Sequence, residues 1–149
     1  MGRFRFVVAV TVFMTSRGLF AQEIGPANRS VVADGGGALI VASSQSGKTL
    51  YGYSVFTGTW EGVNVINPDK VPVEPVVGGG VAYAVVGSRV YAFSAARGHW
   101  EVLELQGVAK PRLFVGDRIR VDVGTRIHVF SGPAGKWSSI DLAVDKAGR

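Results

Sequence analysis

Five groups of residues carry types and spacings that could do chemistry. The first is Ala42-Ser43-Ser44-Gln45-Ser46-Gly47-Lys48-Thr49, which follows the strand-like Leu39-Ile40-Val41 and approaches a phosphate-binding loop, with Ala42 where the first glycine belongs. Such a loop works because backbone N–H groups and the N-terminus of a following helix surround the phosphates while the lysine reaches in. Here the following residues, Leu50-Tyr51-Gly52-Tyr53-Ser54-Val55, read as a strand, so the segment is expected to be a hairpin turn. The second group is Trp60, Trp100 and Trp137, which could stack on sugar rings. They recur at one repeat position, which argues instead for packing between units, where a large aromatic contributes most.

The third group, His99 and His128, lies at non-equivalent repeat positions, and a metal needs three or more converging ligands. No metal, cofactor or catalytic residue is assigned. The fourth group, the carboxylates Glu101, Glu104, Asp117, Asp122 and Asp141, has no spacing that forces two of them together for acid–base hydrolysis. The strongest binding candidates are the fifth group, Arg112, Arg118, Arg120 and Arg126, with a solvated strand face as the competing reading.

These residues sit on a repeat. The block Tyr/Phe-Ser-x-x-x-Gly-x-Trp occurs three times, ending at Gly58 and Trp60, at Gly98 and Trp100, and at Gly135 and Trp137. Nineteen positions align without insertion across residues 47–65, 87–105 and 124–142. A period of about 40 residues means one supersecondary unit used several times.

Each copy breaks into short apolar runs punctuated by glycine, the pattern of a β-meander. In copy two the strands are expected over 81–86, 89–94 and 100–105. In copy three they fall over 118–123, 126–131 and 137–142, and in copy one over 38–42, 49–55 and 60–65. A fourth strand is expected before each, over 30–33, 71–77 and 112–115. The run 81–86 is apolar on both faces and should be covered on both sides. Burial is then expected to fall from that strand to the Trp-led one. Residues 118–123 instead alternate, with Arg118, Arg120 and Asp122 on one face.

The order strand, glycine turn, Val-Tyr-x-Phe-Ser, Gly-x-Trp, Glu-x-Leu-x-Leu resembles a kelch-type blade of a β-propeller over residues 29–143. The resemblance implies an all-β fold of three four-stranded antiparallel meanders (approximately 29–65, 71–105 and 111–142), a partial propeller. A β-trefoil or β-prism, each with three four-stranded repeats, is the alternative. Propellers close with about 4–8 blades. Three units therefore imply two chains in a six-bladed ring, a fragment of a larger propeller, or threefold closure. Copper oxidases related to galactose oxidase share the resemblance, but their cofactor needs a cysteine, and the sequence has none.

Residues 1–21 resemble an export signal: Arg3 and Arg5, a mostly apolar run over 6–14, then a polar stretch leading to Ala21. The run is too short to span a bilayer, which takes about 20 apolar residues. Cleavage would leave 149 − 21 = 128 residues over 22–149, one β-repeat domain, secreted or periplasmic. It removes three of the 16 basic residues and no acidic one, leaving 13 against 11. The high isoelectric point therefore argues for no nucleic-acid partner. Asn28-Arg29-Ser30 matches a glycosylation acceptor. The function expected is a non-catalytic binding module for a protein, a glycan or its own twin. A piece of a larger propeller enzyme and a carbohydrate-binding lectin are the alternatives.

Overall fold

The computed structural model describes residues 32–67, 73–106, 111–114 and 117–143. The leader over 1–21 and the acceptor at Asn28 lie outside them, as do parts of the three fourth strands. Among the described residues there is no helix; twelve strands make three separate four-stranded antiparallel sheets.

The first sheet holds β1 (Val32–Asp34), β2 (Leu39–Ser43), β3 (Thr49–Ser54) and β4 (Thr59–Asn64). The second holds β5 (Val76–Gly78), β6 (Val81–Val86), β7 (Arg89–Ser94) and β8 (His99–Glu104). The third holds β9 (Pro111–Phe114), β10 (Arg118–Val123), β11 (Arg126–Ser131) and β12 (Lys136–Asp141). Each sheet is a meander, its strands adjacent in chain order. Because no ladder crosses from one sheet to another among the described residues, these units do not share a barrel as in a trefoil. The fold is a partial β-propeller of three blades.

The repeat block explains itself at the loop between the third and fourth strand of each blade. The carbonyls of Ser54, Ser94 and Ser131 accept the N–H of Gly58, Gly98 and Gly135 at 2.7–2.8 Å. All three glycines sit at φ of 65–68°, in the left-handed region that favours glycine. The serine hydroxyls accept the N–H three residues on, from Thr57, Arg97 and Ala134. The chain then turns back so that Tyr53 faces Trp60, Phe93 faces Trp100 and Phe130 faces Trp137 in direct register. Ring centroids lie 5.1–5.3 Å apart and the planes are tilted by 44–53°, a favoured aromatic geometry.

Blades stack large face on small face. On β7 the alternation puts Tyr91 and Phe93 on one side and Val90, Ala92 and Ser94 on the other. Tyr91, Phe93 and Trp100 bury against Leu39, Val41 and Leu50 of the first blade in one core cluster. Phe130 and the half-buried Trp137 pack with Val81, Val90 and Ala92 of the second blade in another. Gly52 is small for this reason: a Cβ there would lie 2.6 Å from the Phe93 ring.

Burial departs from the expected gradient. Val85 of β6 is exposed, whereas residues 90–94 of β7 are all buried. The preceding strand of each unit makes β6 and β7 the two central strands. Among the described residues only the middle blade has a neighbour on both sides, so its β7 is covered twice.

Candidate functional site at the open blade faces

Among the described residues, three blades in a row leave two faces uncovered. The repeat allows each open position to be compared with its covered equivalents. On the first blade the outward side carries Ile40, Tyr51, Tyr53 and Trp60. Trp60 is 56% exposed where Trp100 is 7%, and Tyr51 is 44% exposed where Tyr91 is 2%. On the third blade the outward side carries Arg118, Arg120, Ile127, Val129, Ser131 and Ile140. Ile140 is 59% exposed, while its equivalents Val63 and Leu103 are half-buried under the next blade. A prism would cover these faces, because each of its sheets meets both others.

Side-chain hydrogen bonds join covered blades. Ser54 Oγ donates to the Ala95 carbonyl and Ser94 Oγ to the Gly132 carbonyl, each one blade on. Ser131, third in the series, is only half-buried, and among the described residues its hydroxyl makes one bond, the local one from the Ala134 N–H. The backbone acceptor equivalent to Ala95 and Gly132 is Val55, an exposed residue beside exposed Phe56. Donor and acceptor halves of one contact thus stand unused at opposite ends of the stack. The indole of Trp100 donates to the Glu61 carbonyl of the preceding blade at 3.2 Å. That of Trp137 is buried without a partner.

The arginines do not form one group. Arg118 and Arg120 lie on the outward side of β10, and the backbone of Arg112 is paired opposite Arg120. Arg120 pairs with Asp122 at 2.7 Å. Arg126 is on the other side of the sheet, sharing it with His128 and Phe130. It meets Asp141 at 3.3 Å, as its equivalent Arg89 meets Glu104 at 2.7 Å in the second blade. Arg126 is therefore one of two repeated cross-strand ion pairs. Such exposed pairs contribute little, about 0–1 kcal/mol.

The remaining candidates are built into turns and junctions. Segment 42–49 is a hairpin: Thr49 opens β3, the Ser44 N–H donates to the Thr49 carbonyl at 2.8 Å, and Gly47 sits at φ 64°. With no helix behind it, it lacks what a phosphate loop needs. His99 Nε2 contacts the Gly135 carbonyl at 3.0 Å across a blade junction. His128 is buried, and its pKa is lowered, first by burial and then by the nearby Arg126 guanidinium. Asp117 accepts from the Gly80 N–H at 2.6 Å. It lines a shallow opening of about 320 Å³ where the glycine turns of all three blades converge, with Gly36, Gly80 and Gly132 around it. No cluster of three or more metal-ligating side chains occurs among the described residues, and no helix there is long and apolar enough to cross a membrane.

No protein-family model and no curated protein matches the chain. Solved structures similar to it include Hsv2 of Kluyvelomyces marxianus, with TM-score 0.34 and 16% identity over 71% of this chain and 34% of that one. Another is KlHsv2 with loop 6CD replaced by a Gly-Ser linker, with TM-score 0.35 and 15% identity over 78% of this chain and 40% of that one. The chain thus spans well under half the length of either. The blade assignment rests on its own strand pairings and sheet packing.

Proposed function

We propose that the chain is an exported, non-catalytic interaction module of kelch-type blades, with the two open blade faces as its working surfaces. The observation that carries this reading is Trp60. An indole that is buried at the second blade and half-buried at the third lies open on the first, beside exposed Tyr51. A contiguous exposed apolar patch of this kind marks an interaction surface. The carboxylates Asp34, Asp117, Asp122 and Asp141 are each engaged in a local turn, ion pair or blade contact, which supports a structural rather than catalytic use. Export rests on the pattern of residues 1–21. The partner is a protein surface; a glycan stacking on Trp60 is the second reading, favoured by the bare aromatic face.

Indole-selective labelling tests the reading. Trp60 should be protected in the chain as it is recovered from its host's secreted or periplasmic fraction, and labelled in dilute purified chain. Equal labelling in both states overturns it. Glycan-array binding lost in Trp60→Ser would favour the sugar over the protein. A reporter fused behind residues 1–21 that stays in the cytoplasm removes the export claim.

A further inference from the structure

We infer that the two open faces are each other's partners on two copies of the chain, so that the first blade of one copy packs on the third blade of the other and two chains close a six-bladed ring. The inference rests on the interaction-module reading and names its partner.

Such a junction would continue contacts that the chain already makes twice within itself. Each internal junction sets an aromatic face, carrying the strand-three ring and the Trp, on an aliphatic face, carrying the hydroxyl donor. The first blade exposes an aromatic face (Tyr51, Tyr53, Trp60), and the third exposes an aliphatic face with its donor (Ile127, Val129, Ile140, Ser131). Placed in the internal register, Ser131 would donate to the Val55 carbonyl of the other copy, as Ser54 and Ser94 donate to Ala95 and Gly132. The three described blades per copy give six, inside the range in which blades close into a ring.

The intermolecular junction would differ from the internal ones in two ways. Arg118 and Arg120 replace Leu39 and Val41 of the first blade at the same register positions. Opposite them would stand Ile40 and Ala42, whose cross-strand neighbours are Tyr53 and Tyr51. A guanidinium over a tyrosine ring is favourable. Asp34, also paired with Ile40, lies close enough to complement the Arg118 charge. Val129 stands where Gly52 and Ala92 admit the Phe93 and Phe130 rings, and it holds the sheets further apart. A dissociable dimer follows rather than an obligate one.

Sedimentation velocity over a concentration series on the purified chain tests this. The mass should rise from one chain to two and stop there. Trp60→Lys and Ile140→Lys, both at exposed positions, should each weaken association at least tenfold with the circular dichroism unchanged. Mixed in equal amounts the two variants should pair again, because one junction of the mixed dimer keeps Trp60 and Ile140 intact. Should Trp60→Lys unfold the chain, Tyr51→Lys probes the same face.

Loss with Trp60→Lys but not Ile140→Lys means first blade against first blade and overturns the inference. So does growth beyond two chains. A chain monomeric at every concentration also overturns it. The interaction-module reading then survives if Trp60 is protected in the host fraction, and falls with it if Trp60 is labelled there.

Discussion

Gly52→Ala isolates the packing between the first two blades in a single methyl group. A Cβ at position 52 would lie 2.6 Å from Cδ2 and Cε2 of Phe93, a ring with no exposed surface. Overpacking of this kind costs roughly 1–3 kcal/mol. The backbone works the other way: Gly52 is in mid-strand without a left-handed φ, and alanine there is favoured by about 0.5–1 kcal/mol. The clash is larger, so a net loss of about 1 kcal/mol is expected, a fall of roughly 2–8 °C in Tm for a chain of this size. Thermal unfolding followed by far-UV circular dichroism measures it. Phe93→Leu should remove the penalty, so that Gly52→Ala is neutral or stabilising in that background. A Gly52→Ala chain as stable as the parent, or a cycle showing no coupling, would refute the stacking of large face on small face.

Three further outcomes follow from the same geometry. Ser94→Ala should cost about 2 kcal/mol in chemical denaturation, because it strands the buried Gly132 carbonyl and the Arg97 N–H, whereas Ser131→Ala, with only a local bond to lose, should cost far less. His128 has a folded pKa below the ordinary 6.5, so the unfolded chain binds the extra proton more readily. Its contribution to stability is full above about pH 6.5 and is lost as the pH falls through that value toward the folded pKa. Replacing it by the tyrosine found at positions 51 and 91 should flatten Tm between pH 7 and 5, while the lowered pKa of Asp141 acts only below its ordinary 3.8. Iodide quenching of tryptophan fluorescence in dilute chain should fall sharply in Trp60→Phe and hardly change in Trp100→Phe.

The architecture was legible because its signals are local. Glycines at φ near 60° must terminate strands, and the alternation along 89–94 fixes which side each residue faces. The expected bounds of β6, β7, β10 and β11 match the observed ones, while the Trp-led strands begin one residue earlier, at Thr59, His99 and Lys136. Neighbourhood between blades was not legible. Trp60, Trp100 and Trp137 are equivalent in sequence; their exposure differs because no blade precedes the first among the described residues, which is a property of the stack. Charge alone groups Arg126 with Arg118 and Arg120, whereas the β10–β11 register puts it on the opposite side. The strand-face alternation that separates Arg118 from Ile119, continued across the two-residue turn at Gly124, carries that signal: Arg126 pairs with Val123, on the Ile119 side.

The two ends of the stack differ in a way that selects one mode of association. In a linear array, stability is a sum of unit and nearest-neighbour terms, and terminal units need a polar outer face. The third blade has such a face in Arg118, Arg120 and Asp122, although Ile127, Val129 and Ile140 remain beside it. The first blade has little beyond Asp34: Tyr51, Tyr53 and Trp60 are the types that the middle blade buries. Two arginine faces brought together would repel, since like charges gain nothing to offset their desolvation. Two aromatic faces brought together would bury apolar surface but leave the Val55 carbonyl and the Ser131 hydroxyl unmatched. Only the mixed pairing covers the aromatic rings, gives the guanidiniums a π-face, and satisfies the donor and acceptor that the ends of the stack hold apart.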